Sequence, residues 1–182
     1  AQGIAKFPTE ASLVSAYGDV CLLLNRFDDG LKAWNALQAN EPFKSSPQIA
    51  ARVADYYRRG GKLAEARQHL QEFLARIDDP TIRITLADYL NAEGNLEGAL
   101  AELAKVADDP RSLRRRTEML INSQRLSEAE ALITAALQRQ PDSLDLQNRL
   151  AFVYLMSDRE QQAKATLTKV IASRPRDPEA LF

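Results

Sequence analysis

The sequence predicts an all-α chain, a solenoid of about five stacked helical hairpins. Three observations carry that expectation. Matched residues recur in columns at intervals of 30 to 36 positions, prolines separate the recurring units, and apolar residues inside the units are spaced by three and four. No segment shows the alternation of a half-buried strand.

The columns are seen by aligning on the small residue that opens the second helix of each unit: Gly30, Ala66, Ala99, Ala129 and Ala163. Twelve residues earlier stand Gly18, Ala54, Ala87, Thr117 and Ala151, again all small. Nine earlier stand Cys21, Tyr57, Leu90, Leu120 and Tyr154, all able to pack in a core. Four later come Trp34, Leu70, Leu103, Ile133 and Leu167, and seven later Leu37, Phe73, Val106, Ala136 and Val170. Pro8, Pro42, Pro80, Pro110, Pro141 and Pro175 fall between units, where one helix must end and the next begin. Turn residues mark the middle of each unit: Asn25-Arg26, Gly60-Gly61, Glu93-Gly94-Asn95, Ser123-Gln124-Arg125 and Ser157-Asp158.

This pattern resembles the tetratricopeptide repeat, in which a small residue in helix A, an alanine opening helix B, a large apolar residue and a proline recur together. Tyr17-Gly18, the run Gly60 to Ala66 and the run Glu93 to Ala99 carry it best, and the resemblance covers essentially the whole chain. It implies a right-handed α–α superhelix. The units run at about 9–42, 45–79, 80–109, 110–141 and 142–175, with 1–7 the tail of a preceding repeat and 176–182 the start of a following one. The chain then reads as part of a longer array, without a polar cap at either end. Three departures stand out: Arg116 where leucine is expected, a short third unit after Val106, and Gly30 in place of alanine.

A hairpin cannot bury its apolar stripe alone, so stacked neighbours supply the core. The small columns let helix axes approach, and large residues such as Trp34, Tyr57 and Phe73 fill the gaps between hairpins.

Chemistry is sparse in this sequence. A single histidine, His69, cannot form a histidine metal cage, and the single cysteine, Cys21, lies in a core column and reads as a buried inert thiol. There is no phosphate loop, nucleophile elbow or zinc-protease motif. No catalytic, cofactor-binding or metal-binding residue is expected, and the chain does not read as an enzyme. Twenty-four basic against 25 acidic residues give a net charge of −1, which disfavours a nucleic-acid partner. No apolar run is long enough to cross a bilayer, so direct membrane insertion of this segment is not expected. The composition suits a soluble segment of either the cytoplasm or a bacterial periplasm.

The resemblance implies that helix A of each repeat lines a concave groove. Eleven residues before the anchors lie Asp19, Asp55, Asp88, Glu118 and Phe152, an acidic ladder that turns apolar in the last unit. Arginines stand beside it: Arg52, Arg58 and Arg59, then Arg111, Arg114 and Arg115, then Arg149. Read locally, these charges pair along their own helices, Arg52 with Asp55 and Arg114 with Glu118. Read functionally, they line a groove for a protein or peptide segment, since arginine binds carboxylates bidentately. Asp19 and Asp55 occupy the slot where relatives that clamp a C-terminal carboxylate carry asparagine. The apolar patch of Phe152, Leu155 and Met156 reads as the surface covered by a following repeat.

The function expected is a protein-binding scaffold. The alternative is the recognition arm of a larger enzyme or of a bacterial envelope export or assembly protein, of exopolysaccharide or pilus type. Weak association through the uncapped repeat ends is a further expectation.

Overall fold

The computed structural model describes residues 9–172. The proposed flanking repeat segments, with Pro8 and Pro175, lie outside the described residues, as does the side chain of Val170. Among the described residues every regular element is helical. Ten α-helices occur in order: α1 (Ala11–Leu23), α2 (Phe27–Gln38), α3 (Pro47–Arg59), α4 (Leu63–Leu74), α5 (Pro80–Ala92), α6 (Leu96–Ala104), α7 (Pro110–Asn122), α8 (Leu126–Arg139), α9 (Leu144–Met156) and α10 (Glu160–Ala172). A short 3-10 turn, Phe43–Ser45, follows α2. Two compact units part between Ser112 and Leu113, within α7.

Odd-numbered helices are the first helices of the hairpins, and α3, α5, α7 and α9 each begin on a side-chain cap. Asp79 accepts from the Thr81 and Ile82 amides at 2.8 and 3.1 Å, and Asp109 from the Arg111 amide at 2.8 Å. Ser46 and Ser143 cap α3 and α9 through the amides of Ile49 and Leu146. Proline at the first position of α3, α5 and α7 has no amide to satisfy there.

Three residues link the helices of every hairpin, and they share one conformation. The residue five before each anchor is left-handed: Asn25 (φ 54), Gly61 (φ 75), Gly94 (φ 82), Gln124 (φ 59) and Asp158 (φ 57). The next amide then reaches back to a carbonyl in the last turn of the first helix, Arg26 to Cys21 and Lys62 to Tyr57 at 2.8 Å. Asn95 to Leu90, Arg125 to Leu120 and Arg159 to Tyr154 do the same at 2.9 Å. This is a Schellman closure repeated five times.

In the first unit α1 packs on α2, α3 on α4 and α5 on α6, with α2–α3 and α4–α5 contacts joining successive hairpins. Here Gly18 and Gly30 have a specific task. A Cβ on Gly18 would lie 2.6 Å from both the Trp34 indole nitrogen and the Tyr56 hydroxyl, and one on Gly30 would enter the Tyr56 ring. Gly30 replaces the usual alanine because Tyr56 of the next hairpin packs directly on it. Val14, Cys21, Leu37 and Val53 complete that core, and Leu70, Phe73, Ile82, Ala87 and Leu103 are buried further along the unit.

In the second unit α8 and α10 lie against α9, and Ala129, Ile133, Leu146, Ala151, Val153 and Ala163 are buried. Thr117 fits the small column because its hydroxyl turns inward to the Leu113 and Arg114 carbonyls. Two columns come out differently from their expected form. Val106 lies beyond the end of α6, the shortest helix, and is half-buried, as is Ala136. Arg116 stands where Val53, Leu86 and Leu150 are buried, and its Nε is buried without a hydrogen-bond partner.

Candidate functional site

The eleven groove candidates fall in both units. In the first, Asp19 is exposed on α1, Asp55 and Asp88 are half-buried on α3 and α5, and Arg52 is exposed on α3. The expected Arg52–Asp55 pair does not form. Asp55 instead accepts from Arg58 and Arg59, each at 2.6 Å, while the Arg52 guanidinium lies 5.7 Å from the centre of the Trp34 ring. The reason is direction: helical side chains lean toward the N-terminus, so Arg58 and Arg59, one turn later, fold back onto Asp55. Burial works to raise the Asp55 pKa, but the two guanidinium groups outweigh it and the net shift is downward. Arg111 pairs with Asp109 at 2.7 Å and donates to the Thr81 hydroxyl at 3.3 Å.

The second unit gathers the remaining candidates. Arg114 donates to Glu118 at 2.9 Å, the expected pair, and Arg115 donates to the other carboxylate oxygen at 3.3 Å. From α9, Arg149 donates to Asp145 at 2.8 Å and approaches Glu118 at 3.8 Å. Burial of Glu118 favours its neutral form, but Arg114 and Arg115 outweigh it and hold its pKa below the ordinary value. Of these groups, Glu118, Asp145 and Arg149 line a cavity of about 320 Å³ between α7 and α9. Phe152, 49% exposed, and the half-buried Ile121 give it an apolar wall. Asn122 and Asn148 present exposed carboxamides to the same cavity.

Four cavity residues, Ile121, Asn122, Asp145 and Asn148, were not among those the sequence singled out. Their signal was helical spacing: Glu118–Asn122, Asp145–Arg149 and Asn148–Phe152 are each four apart and share a helix face. The two residues weighed for chemistry are placed by packing. Cys21 is a buried free thiol, and His69 stands 6.1 Å from the Tyr57 ring with its Nε2 buried and without a partner.

A second charged column lies at the start of the B helices. Four residues before the anchors stand Arg26, Lys62, Asn95, Arg125 and Arg159. A cation at a helix N-terminus opposes the helix dipole. Each is compensated by an acid: Arg26 by Asp29, Lys62 by Asp28 and Arg125 by Glu128, while Arg159 reaches Glu130. The Lys62 and Arg159 pairs tie a hairpin to the one before it.

Residues 120–181 match the family model described as tetratricopeptide repeat. No curated protein matches the sequence. Among solved structures, the chain is similar to MamA 41-end from Desulfovibrio magneticus RS-1, at 17% identity and a TM-score of 0.59, covering 89% of this chain and 93% of that one. It is similar also to the nearly identical tetratricopeptide-like repeats of a kinesin-light-chain-type protein of Podospora anserina, at 18% identity and a TM-score of 0.64 over 91% and 95%. YrrB, described as a tetratricopeptide protein with an unusual peptide-binding site, matches at 17% identity and a TM-score of 0.55 over 99% and 94%. At these identities the likeness is one of fold. The segment at 120–181 is similar to the tetratricopeptide repeat, and the hairpins before it repeat its small and left-handed positions in the same fold.

Proposed function

We propose that this chain is a protein-binding scaffold that holds a partner segment along the faces of its first helices. The observation that carries this reading is the cavity between α7 and α9. It joins an apolar wall to two carboxamides, two carboxylates and the Arg149 guanidinium, a combination that grips both the side chains and the backbone of a bound segment. Most charges of the first unit are satisfied internally, and exposed pairs of this kind add little stability, about 0.2–1 kcal/mol each. Arg52 is different: its guanidinium lies over Trp34, in no ion pair among the described residues, and leaves donors for a partner. That YrrB carries a peptide-binding site on the same fold agrees with the reading.

The test is charge reversal on partners captured with this chain and then measured individually by calorimetry. Arg52→Glu or Arg114→Glu weakens binding while the helical circular dichroism spectrum is retained. Glu128→Lys, on α8, leaves affinity unchanged. Arg67 is unsuitable as a control because it is half-buried and bridges to Glu93 at 3.1 Å. A partner indifferent to Arg52 and Arg114, yet lost on reversal at Glu128, refutes the assignment.

A further inference from the structure

Helix α1 carries an apolar stripe that is open among the described residues. Leu13, Ala16, Val20, Leu23 and Leu24 recur at intervals of three and four and so share one side of the helix. Val14, Gly18 and Cys21, on another side, are buried in the hairpin core. Val20 is 50% exposed, Leu23 82% and Leu24 60%, and Ala16 is exposed beside them. Single exposed leucines are ordinary on a protein surface, but a continuous apolar stripe marks a contact.

The repeat columns show how much of this stripe another hairpin of the same kind would cover. Ten residues before the anchor stand Val20, Tyr56, Tyr89, Met119 and Val153. The last four are buried, and Tyr56 packs on Gly30 of the hairpin before it. Seven before the anchor stand Leu23, Arg59, Ala92, Asn122 and Met156, and every one is exposed. Repeat stacking thus buries the Val20 position and leaves the Leu23 position in solvent.

The charges beside the stripe narrow what covers it. Asp55 of the second hairpin is paired with Arg58 and Arg59, eight and seven before the anchor. The first hairpin keeps the acid, Asp19, but has Leu22 and Leu23 at those two positions. Asp19 is exposed and forms no ion pair among the described residues. Glu10, at the start of the same helix, is also exposed and accepts from the Ser12 hydroxyl at 3.0 Å. Helix α1 itself holds no basic residue, and Arg26, which follows it, is taken by Asp29 at 2.6 Å. The stripe is therefore apolar with acids at its edges.

We infer that this face is a second docking surface, separate from the α7–α9 cavity, and that it takes a basic amphipathic helix of another protein. Apolar residues of that helix, spaced by three and four, cover Val20, Leu23 and Leu24, while its flanking lysines or arginines meet Asp19 and Glu10. A helix is the shape that fits, since α2 and α8 already pack along the first helices that follow them. A second copy of this chain fits less well, because two α1 stripes laid together bring acids to acids. An anionic bilayer meets the same repulsion.

Fluorescence anisotropy with the whole chain tests the assignment. The probe is a labelled helical peptide with leucine at intervals of three and four and lysine on both flanks, acetylated and amidated. Its comparisons carry glutamate in place of lysine, or serine in place of leucine. The lysine–leucine peptide is expected to bind about tenfold or more tighter than either comparison. Leu23→Ser weakens it, and Asp19→Lys shifts the preference toward the glutamate peptide, with the circular dichroism spectrum retained in both. Phe152→Ser, on the other exposed apolar patch, leaves the affinity unchanged.

Failure of the lysine–leucine peptide to bind overturns the inference, as does equal affinity for the lysine and glutamate peptides. Binding that ignores Leu23→Ser and Asp19→Lys, or that is lost with Phe152→Ser, places the contact elsewhere and overturns it too. Sedimentation of the free chain is expected to show no association through α1, and a dimer dissolved by Leu23→Ser assigns the face to a second copy instead. Binding to vesicles of anionic phospholipid that is lost with Leu23→Ser assigns it to a membrane surface instead.

Discussion

Tyr56 sits with its ring against the backbone of Gly30 and its hydroxyl near Gly18, and two α-carbons without side chains make that possible. Gly30→Ala drives a methyl into a ring whose relative exposure is 1%, so nothing nearby can yield by moving into solvent. Overpacking of this kind costs about 1–3 kcal/mol, read as a lowered denaturation midpoint. The opposite change is favourable at Gln124. Its φ of 59 lies in the left-handed region, where a Cβ costs about 1–2 kcal/mol. Gln124→Gly therefore stabilises by about 0.5–1 kcal/mol once glycine's extra unfolded-state freedom is deducted. Leu70 and Leu103 are fully buried, and Leu70→Ala or Leu103→Ala each costs about 2–5 kcal/mol by urea denaturation. A change under about 0.5 kcal/mol at either leucine would contradict this packing.

At the scale of the helix, the two kinds of N-terminus differ. The first helices of hairpins two to five open on Ser46, Asp79, Asp109 or Ser143, whose side chains satisfy free amides. Asp79→Ala removes two such bonds and lowers stability by about 1 kcal/mol in thermal denaturation. Four of the five second helices open on a cation, which no capping rule predicts. Proline spacing, turn residues and helical periodicity were enough to predict an all-helical chain. The left-handed residues at Asn25, Gln124 and Asp158 were legible only as members of turn clusters, because asparagine, glutamine and aspartate adopt many other conformations. The cationic column was legible as spacing but not as meaning, since Lys62 acquires its reason only when Asp28, on the previous hairpin, comes within 2.7 Å.

For the molecule as a whole, pH separates two sets of groups. Burial lowers the His69 pKa from 6.5, so the unfolded chain takes up a proton before the folded one does. Stability is therefore full above pH 6.5 and falls as pH drops from there through the folded value. The ion-paired carboxylates Asp55 and Glu118 are also held down, from 3.8 and 4.5, and their contribution is lost only at more acid pH, below about 4.5. His69→Gln is expected to remove the first slope in a pH series of denaturation midpoints and leave the second. A first slope that survives the substitution assigns it to another group.

The sequence by itself determined the class of fold, the hairpin period, the small positions and the absence of any motif for catalysis. These follow from local spacing and residue size, which act within one helix or one turn. Only the tertiary structure decided how the charges pair. Arg52 and Arg58, each three residues from Asp55, were equally spaced choices on paper, but the lean of helical side chains and the Trp34 face separated them. The α7–α9 cavity likewise had three of its seven lining residues in view, Glu118, Arg149 and Phe152, while Ile121, Asn122, Asp145 and Asn148 joined it only through packing. A cavity is shaped by two helices at once, and its walls are set by contacts between residues far apart in the chain.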